Sequence, residues 1–196
     1  MKTRKILILL LLILLLSTGN INALNKYDKK IYPKINFKKY KNSSFKKYPK
    51  KKGTILVTPD KYKRILPIGH AAIVIDKNYV YEATSKGIIR GMNNWHYTKK
   101  RVFGLRVKKL SDKAHNKTVD SLRKHLGKKY NFNFLNTKRR DRFYCSHLIF
   151  SAFYDRYKIN LDTKLFGLAG KKNGAIHPLE LVLSKNTKIV YHYAKK

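Results

Sequence analysis

The chain has 196 residues, and its 46 Lys and Arg against 10 Asp and Glu give a formal net charge of +36. Its single cysteine, Cys145, excludes a scaffold held by disulfides, and the presence of only one long apolar run excludes a multi-span membrane bundle. Hydrophobic residues still make up 43% of the chain and aromatic residues 12%, which is enough to build a core. The length predicts one folded domain, and we expect a monomer.

The first 23 residues have the three-part pattern of a secretory signal peptide. Lys2, Arg4 and Lys5 form a basic start, an unbroken run of 11 Ile and Leu follows over residues 6–16, and a short polar stretch ends at Ala23. As a helix, the apolar run would be about 16 Å long, which is too short to cross a hydrocarbon core of roughly 30 Å. The pattern predicts a secreted or periplasmic protein, with an uncleaved membrane anchor as the alternative.

Residues 24–52 form a basic segment of different composition. The segment contains 12 Lys and one acidic residue, with aromatic residues and two Pro between the lysines. No helical or strand period persists, so we expect a flexible arm that contributes no residue to a catalytic site. One interpretation is a solvated linker. The other is a tether to anionic cell-envelope polymers, in which Lys neutralises phosphate or carboxylate and aromatic rings stack; no specific nucleic acid is expected as a partner.

Residues 53–196 have the pattern of a single α+β domain. Strands are predicted over residues 54–58, 69–75, 79–83, 102–107 and 187–193, and helices over residues 111–126, 145–157 and 177–183. Residues 76–78 suit a three-residue loop in the only convincing hairpin, and residues 167–174 are expected to form a flexible Gly-rich loop. Ser111 is placed to cap the first helix, which Gly127 ends.

Cys145 is the candidate nucleophile, because it lies where a polar loop changes into an apolar-striped helix. The first turn of a helix has free N–H groups and a positive dipole, which lower a thiol pKa from its usual value of about 8.5. From position alone, Cys145 could equally be a small buried hydrophobic residue. The histidines form no H-E-x-x-H motif and there are no paired cysteines, so no metal or other cofactor is predicted.

His70 is the best placed of the seven histidines to act as the base for this thiol. It follows Gly69 at the start of an apolar strand, although a strand histidine is as often structural. Glu82, the carboxylate within the apolar part of the hairpin, is the candidate to orient the imidazole. A three-residue loop pairs Ala72 with Glu82 and places Glu82 on the His70 face, whereas a two-residue loop would place it on the opposite face.

Six segments carry a resemblance to a known family: GTILVTPD (residues 53–60), GHAAIVI (69–75), YVYEAT (79–84), LGKKYNFNF (126–134), FYCSHLIFSAF (143–153) and IHPLEL (176–181). In this order they resemble the YiiX-like proteins, the circularly permuted branch of the NlpC-type papain-like cysteine peptidases and amidases. The resemblance covers about residues 53–193. It implies a permuted papain-like fold with an antiparallel sheet packed on helices, with Cys145 as nucleophile, His70 as base and Glu82 as the orienting carboxylate.

The chain departs from the family pattern at two positions. His147 stands where a Glu is usual two residues after the cysteine, and His177 stands where a Thr commonly precedes the late proline. The resemblance implies acyl transfer from a peptide or acyl substrate through a thioester, with the backbone N–H of Cys145 as an oxyanion donor. Tyr144 and Tyr130 are candidates for the wall of the substrate pocket.

Three functions are open at this stage. The first is a secreted hydrolase of amide bonds, with cell-wall stem peptides as a possible substrate. The second is a lipid-directed thiol acyltransferase or esterase, because relatives of the permuted fold, the lecithin retinol acyltransferase group, move acyl chains. The third is a non-catalytic cationic protein that binds the cell envelope and has kept the fold.

Overall fold

The computed structural model of the chain describes residues 47–60, 69–134, 136–165 and 175–195. The predicted signal peptide, residues 24–46 of the basic segment and the predicted Gly-rich loop at residues 167–174 lie outside these ranges. Among the described helices, none is both long enough and apolar enough to cross a membrane.

A six-stranded antiparallel sheet forms the centre of the domain. The described strands are β1 (Ile55–Thr58), β2 (His70–Val74), β3 (Tyr79–Thr84), β4 (Gly87–Met92), β5 (Arg101–Val107), β6 (Lys129–Tyr130), β7 (Arg142–Phe143) and β8 (Thr187–Ala194). The order in the large sheet is β4-β3-β2-β1-β5-β8, and each neighbouring pair is antiparallel. The short strands β6 and β7 form a separate parallel pair.

The helices within the described ranges are α1 (Trp95–Thr98), α2 (Asp112–Leu122), α3 (Cys145–Tyr157) and α4 (Pro178–Leu183). Ser111 caps α2 as predicted, since its Oγ accepts a hydrogen bond from Ala114 N at 3.2 Å. The helix ends earlier than predicted and continues as a 3₁₀ turn over Arg123–His125. Leu126, which follows that turn, is 40% exposed.

The predicted strands and helices are present, but the sequence pattern missed β4, α1 and the two-residue strands β6 and β7. A second hairpin joins β3 to β4, with Thr84 paired to Gly87 across the two-residue loop Ser85-Lys86. β4 is an edge strand with Gly at its first position and again at Gly91, so its alternation of buried and exposed side chains is weak. α1 is a single turn of four residues, which is too short for a helical period to be recognised.

The sheet is buried on both faces. One face carries a cluster of buried side chains to which Trp95 of α1 belongs: Leu56, Ala72, Val74, Val80, Val102 and Tyr191. The alternate residues of β1 and β2 are fully buried, and α3 packs against β2 and β3 while α4 packs against β1 and β8. The start of α3 is thereby brought against the sheet.

The last residues of the basic segment pack on this domain. Pro49 is buried, and Tyr48 joins the cluster around Trp95. Arg106 Nη1 donates a hydrogen bond to the Lys52 carbonyl at 2.7 Å. The described end of the segment is therefore packed on the domain, while the predicted boundary at Gly53 stays a prediction.

Candidate active site

Cys145 is the first residue of α3, as predicted. Tyr144 precedes it in an extended conformation and makes no capping hydrogen bond through its side chain. The first-turn N–H groups of α3 are therefore not capped by the side chain before the helix, and they point toward the position of the sulfur. The cysteine is 7% exposed. The backbone N–H groups of Ala71 and Ser146 lie close to its sulfur and lower the pKa of the thiol.

His70 lies at the start of β2, where the strand comes close to both β1 and α4. Gly69 precedes it with φ +60°, and a Cβ at that position would lie 2.8 Å from Thr58 O and 3.5 Å from Pro178 Cβ. The imidazole of His70 lies close enough to the thiol of Cys145 for the two groups to shift each other's pKa. The structure thus brings together two residues that are 75 positions apart in the sequence.

Glu82 lies on the same face of the sheet as His70. Ala72 pairs with Glu82 in the β2–β3 ladder, which is the register of a three-residue hairpin loop. Asp76 Oδ1 stabilises this loop by accepting hydrogen bonds from the N–H groups of Asn78 and Tyr79 at 2.7 and 2.9 Å. Glu82 Oε2 lies 2.6 Å from His70 Nε2. Because Nε2 is bonded to Glu82, Nδ1 is the ring nitrogen left to face the sulfur.

The glycine at position 91 provides the space for this carboxylate. Gly91 lies on β4, diagonally across from Glu82, and a Cβ there would lie 1.9 Å from Glu82 Oε1. Any other residue at this position would displace the carboxylate from His70. This requirement was invisible in the sequence, where the strand containing Gly91 was not recognised.

The hydrogen-bonded pair favours a thiolate and an imidazolium. Burial alone would lower the pKa of His70, but the bonds and charges of Cys145 and Glu82 outweigh burial and raise that pKa to about 9. Burial would likewise raise the pKa of Cys145, yet the hydrogen bond and positive charge of His70 bring it below its usual value. The proton therefore lies on the imidazole over a wide pH range.

Trp95 is a site residue that the sequence analysis missed. Its ring stacks on the His70 ring, with 5.5 Å between centroids and 27° between planes, and it is only 3% exposed. Lys99 Nζ lies 5.5 Å from the centroid of the Trp95 ring. The one signal that the sequence offers for this residue is that it is the only tryptophan of the chain.

The two tyrosines predicted for the pocket wall occupy different environments. Tyr144 is 2% exposed, and its hydroxyl accepts a hydrogen bond from Ile176 N at 2.9 Å. This bond ties the residue before Cys145 to the segment that leads into α4. Tyr130 is half-buried and packs against Phe132, which is 53% exposed. Contact of either tyrosine with substrate stays a prediction, and Tyr130 is the more accessible of the two.

The two histidines that depart from the family pattern have structural partners. His147 is fully buried, and its Nε2 donates to the Thr137 carbonyl at 2.8 Å. Burial lowers the pKa of His147 to about 4, so the ring is neutral. His177 caps α4: its Nδ1 accepts from Leu179 N at 3.2 Å, and Glu180 Oε2 accepts from His177 N at 2.8 Å.

Comparison with known proteins identifies the family and the fold of this chain. Residues 49–173 match the family described as permuted papain-like amidase enzymes, YaeF/YiiX, C92 family. The chain belongs to this family. It is an amide hydrolase of the papain-like cysteine peptidase class, and the predicted family and α+β fold class are confirmed.

A crystal structure of the metalloprotein yiiX from Escherichia coli O157:H7 has the same fold. The TM-score is 0.59 at 18% sequence identity, over 76% of this chain and 100% of that one. No curated protein matches the sequence. The described residues of this chain bring together no group of three or more His, Cys, Asp or Glu side chains suited to a metal ion, so we derive no step through a metal.

Proposed function

We propose that the chain is an exported thiol amidase in which Cys145 is the nucleophile, His70 the acid and base, and Glu82 the residue that orients His70. The observation that supports this proposal is the position of the His70 imidazole, which interacts with the Cys145 thiol and lies 2.6 Å from the Glu82 carboxylate. A nucleophile, a base and an orienting group in this order are the minimum that acyl transfer needs.

The reaction proceeds in two halves. The Cys145 thiolate attacks the amide carbonyl carbon, and the Cys145 N–H at the start of α3 donates to the oxygen that becomes negative. His70 gives its proton to the leaving amine, the C–N bond breaks, and a thioester remains on the sulfur. His70, now neutral, takes a proton from water, the hydroxide attacks the thioester, and the acid product leaves as the thiolate–imidazolium pair is restored.

We propose peptide amides of the cell wall as the substrate class, following from the amidase family and the expected export. The test is to incubate the protein with purified murein, with a simple peptide amide and with phospholipid vesicles, and to measure released amine and released fatty acid. Released amine without fatty acid supports the proposal. Fatty-acid release or transfer would support the lipid-directed alternative, and a lack of any turnover together with an unreactive thiol would support a non-catalytic binder.

Thiol reactivity should persist at a pH where a free cysteine is inert. Because the pKa of Cys145 is lowered and that of His70 is raised to about 9, the thiolate is present at a lower pH than in a free cysteine, and the imidazolium persists up to about pH 9. We expect iodoacetamide to alkylate the native protein readily at pH 6, whereas His70→Ala reacts roughly 10²-fold more slowly at that pH. Hydrolysis should decline as the pH rises through about 9, where the acid is lost.

The measurement is the alkylation rate constant between pH 5 and pH 10, followed by mass spectrometry. The chain suits it well, since the native protein has one cysteine and full labelling adds a single group. The unfolded protein in denaturant is the reference for an unperturbed thiol. A native profile that coincides with the unfolded one would contradict the proposed ion pair.

We also propose that the protein associates with anionic cell-envelope polymers. Residues 53–196 carry 31 Lys and Arg against 9 Asp and Glu. Several of these few carboxylates are taken up by ion pairs within the domain: Asp112 with Lys51 and Arg106, Asp120 with Lys52, Asp141 with Arg139 and Arg142, and Asp155 with Arg140. Little acidic surface is left to repel a polyanion, so binding should rest on counterion release.

Removing residues 24–46 should weaken this association without altering the thiol. The deletion takes away 8 Lys and 1 Asp but leaves Tyr48 and the packed residues after it. We expect weaker co-sedimentation with cell-wall polymer, a steep decrease of binding with salt for both proteins, and unchanged alkylation of Cys145. A full-length variant with those eight Lys changed to Gln keeps the length of the segment and removes its positive charge. If this variant binds the polymer as strongly as the native chain, the charge of the segment does not contribute to binding.

A further inference from the structure

Tyr48, at the end of the basic segment, is bonded to the start of the helix that carries Trp95. The Tyr48 hydroxyl donates to Asn93 Oδ1 at 2.8 Å and accepts from Trp95 N at 3.1 Å. The second bond satisfies one of the N–H groups that a helix start leaves without an intrahelical partner. Asn94, the residue at the cap position of α1, makes no capping hydrogen bond through its side chain, so Tyr48 supplies that function from 47 residues upstream.

Further contacts hold Tyr48 itself in place. Asn93, two residues before α1, forms a second hydrogen bond with the segment, from its Nδ2 to the Pro49 carbonyl at 3.1 Å. The Tyr48 ring packs edge-on against Tyr191, with 5.5 Å between the ring centroids. It also packs against the tilted ring of His96, with 4.0 Å between the centroids. Burial raises the pKa of the Tyr48 hydroxyl, which is consistent with a phenol withdrawn from water.

The other side of Trp95 faces the catalytic imidazole. Its ring lies stacked on His70, and it belongs to the same buried cluster as Tyr48. A ring fixed on one face of the imidazole restricts its rotation and keeps water from that side of the bond between His70 and Glu82. The side chain of His70 remains 23% exposed, so this contact does not seal the ring from solvent.

We infer that Tyr48 is a positioning residue of the active site: its hydroxyl fixes Trp95, and Trp95 holds the His70 ring in line between Cys145 and Glu82. The inference rests on the proposed role of His70. It gives the end of the basic segment a part in the reaction, although the composition of that segment is typical of a flexible arm outside the site.

The experiment compares Tyr48→Phe with Tyr97→Phe. The first variant keeps the buried ring and removes both hydrogen bonds. The second removes the hydroxyl of Tyr97, which lies on α1 beside Trp95 and is 73% exposed. Because Trp95 is the only tryptophan, its fluorescence reports on the stacked His70 directly, since a protonated imidazole quenches an indole in contact with it. The fluorescence is titrated from pH 5 to pH 11, and Cys145 alkylation is measured at pH 6.

In Tyr48→Phe we expect weaker quenching at pH 7, a lower midpoint of the fluorescence titration, and alkylation about three- to ten-fold slower, as the loss of one or two partly buried hydrogen bonds allows. Tyr97→Phe should stay within about two-fold of the native rate. Trp95→Phe should slow alkylation similarly, and the double variant Tyr48→Phe/Trp95→Phe should be no slower than Trp95→Phe alone, because both act through one contact.

Two results would overturn the inference. One is a Tyr48→Phe protein that melts at a lower temperature but keeps the native alkylation profile, which means that Tyr48 only stabilises the fold. The other is full additivity in the double variant. If Tyr48→Phe does not fold, Trp95→Phe decides, because a native alkylation profile in that variant would equally contradict the inference. The fluorescence titration needs no turnover. A native protein that fails to hydrolyse amides would therefore contradict the proposed function, while the titration would still test the role of Tyr48.

Discussion

Replacing Cys145 with alanine is expected to abolish amide hydrolysis, with a loss of about 10⁴-fold or more in the rate constant. The reason is that the thioester cannot form without the sulfur, and the remaining N–H groups and binding contacts supply only a small part of the rate. His70→Ala should be nearly as severe, since the thiolate and the acid for the leaving amine are both lost. Both rates are measured on a peptide amide, by amine release under substrate saturation.

Folding must be excluded as the cause of these losses. Cys145 is buried but small, so Cys145→Ser keeps its volume and should leave the melting temperature close to native while lacking activity. Tyr154→Phe, on the same helix and 39% exposed, is the matched control and should retain full activity. Substantial hydrolysis by Cys145→Ala would refute the proposed nucleophile, whatever the behaviour of the other variants.

Changing Glu82 to glutamine is expected to lower the rate of hydrolysis by about 10²- to 10⁴-fold, the range that the orienting carboxylate of a catalytic triad supplies. The substitution keeps the side-chain volume and can still bond to His70 Nε2, but it removes the negative charge that stabilises the imidazolium. The pKa of His70, now about 9, should therefore decrease, and the alkaline decline of activity should move to lower pH. The pH profile distinguishes this effect from simple loss of stability.

Gly91→Ala tests the same carboxylate from the neighbouring strand. Its new Cβ would lie 1.9 Å from Glu82 Oε1, so the carboxylate must move and activity should decrease. In a Glu82→Ala background the clash disappears, and adding Gly91→Ala should cost little further activity. If Gly91→Ala lowers activity equally in both backgrounds, its effect lies in the strand and not in the position of Glu82.

Local sequence pattern was sufficient for much of the candidate site. The apolar stripe and the loop before it correctly placed Cys145 at the first residue of a helix, because helix starts depend on a few neighbouring residues. Asp76 and Asn78 favour a short turn, and a three-residue turn fixes which residues of the hairpin share a face. His70 and Glu82 could therefore be predicted to lie together, conditional on that register, which the structure has.

Other features of the site depend on contacts that no local pattern records. Trp95 lies in a four-residue helix without a usable period, and its role follows from the ring it stacks on, which is 25 residues away in sequence. Tyr48 belongs to a segment whose composition, dense Lys with aromatic residues and Pro, is typical of mobile chain. Its packing depends on a cluster assembled from five strands and α1, so composition alone predicted the opposite.

Pattern and resemblance in the sequence thus predicted an α+β domain of the permuted papain-like family, which the comparisons confirm, and proposed Cys145, His70 and Glu82 as its site residues. Tertiary structure decided how these residues are held: the approach of α3 to β2 across 75 residues, the space that Gly91 leaves for Glu82, and the support of Trp95 by Tyr48. The reason is physical. Turns, caps and alternation are set by neighbouring residues, whereas close approach and burial are set by whichever distant side chains the sheet brings into contact.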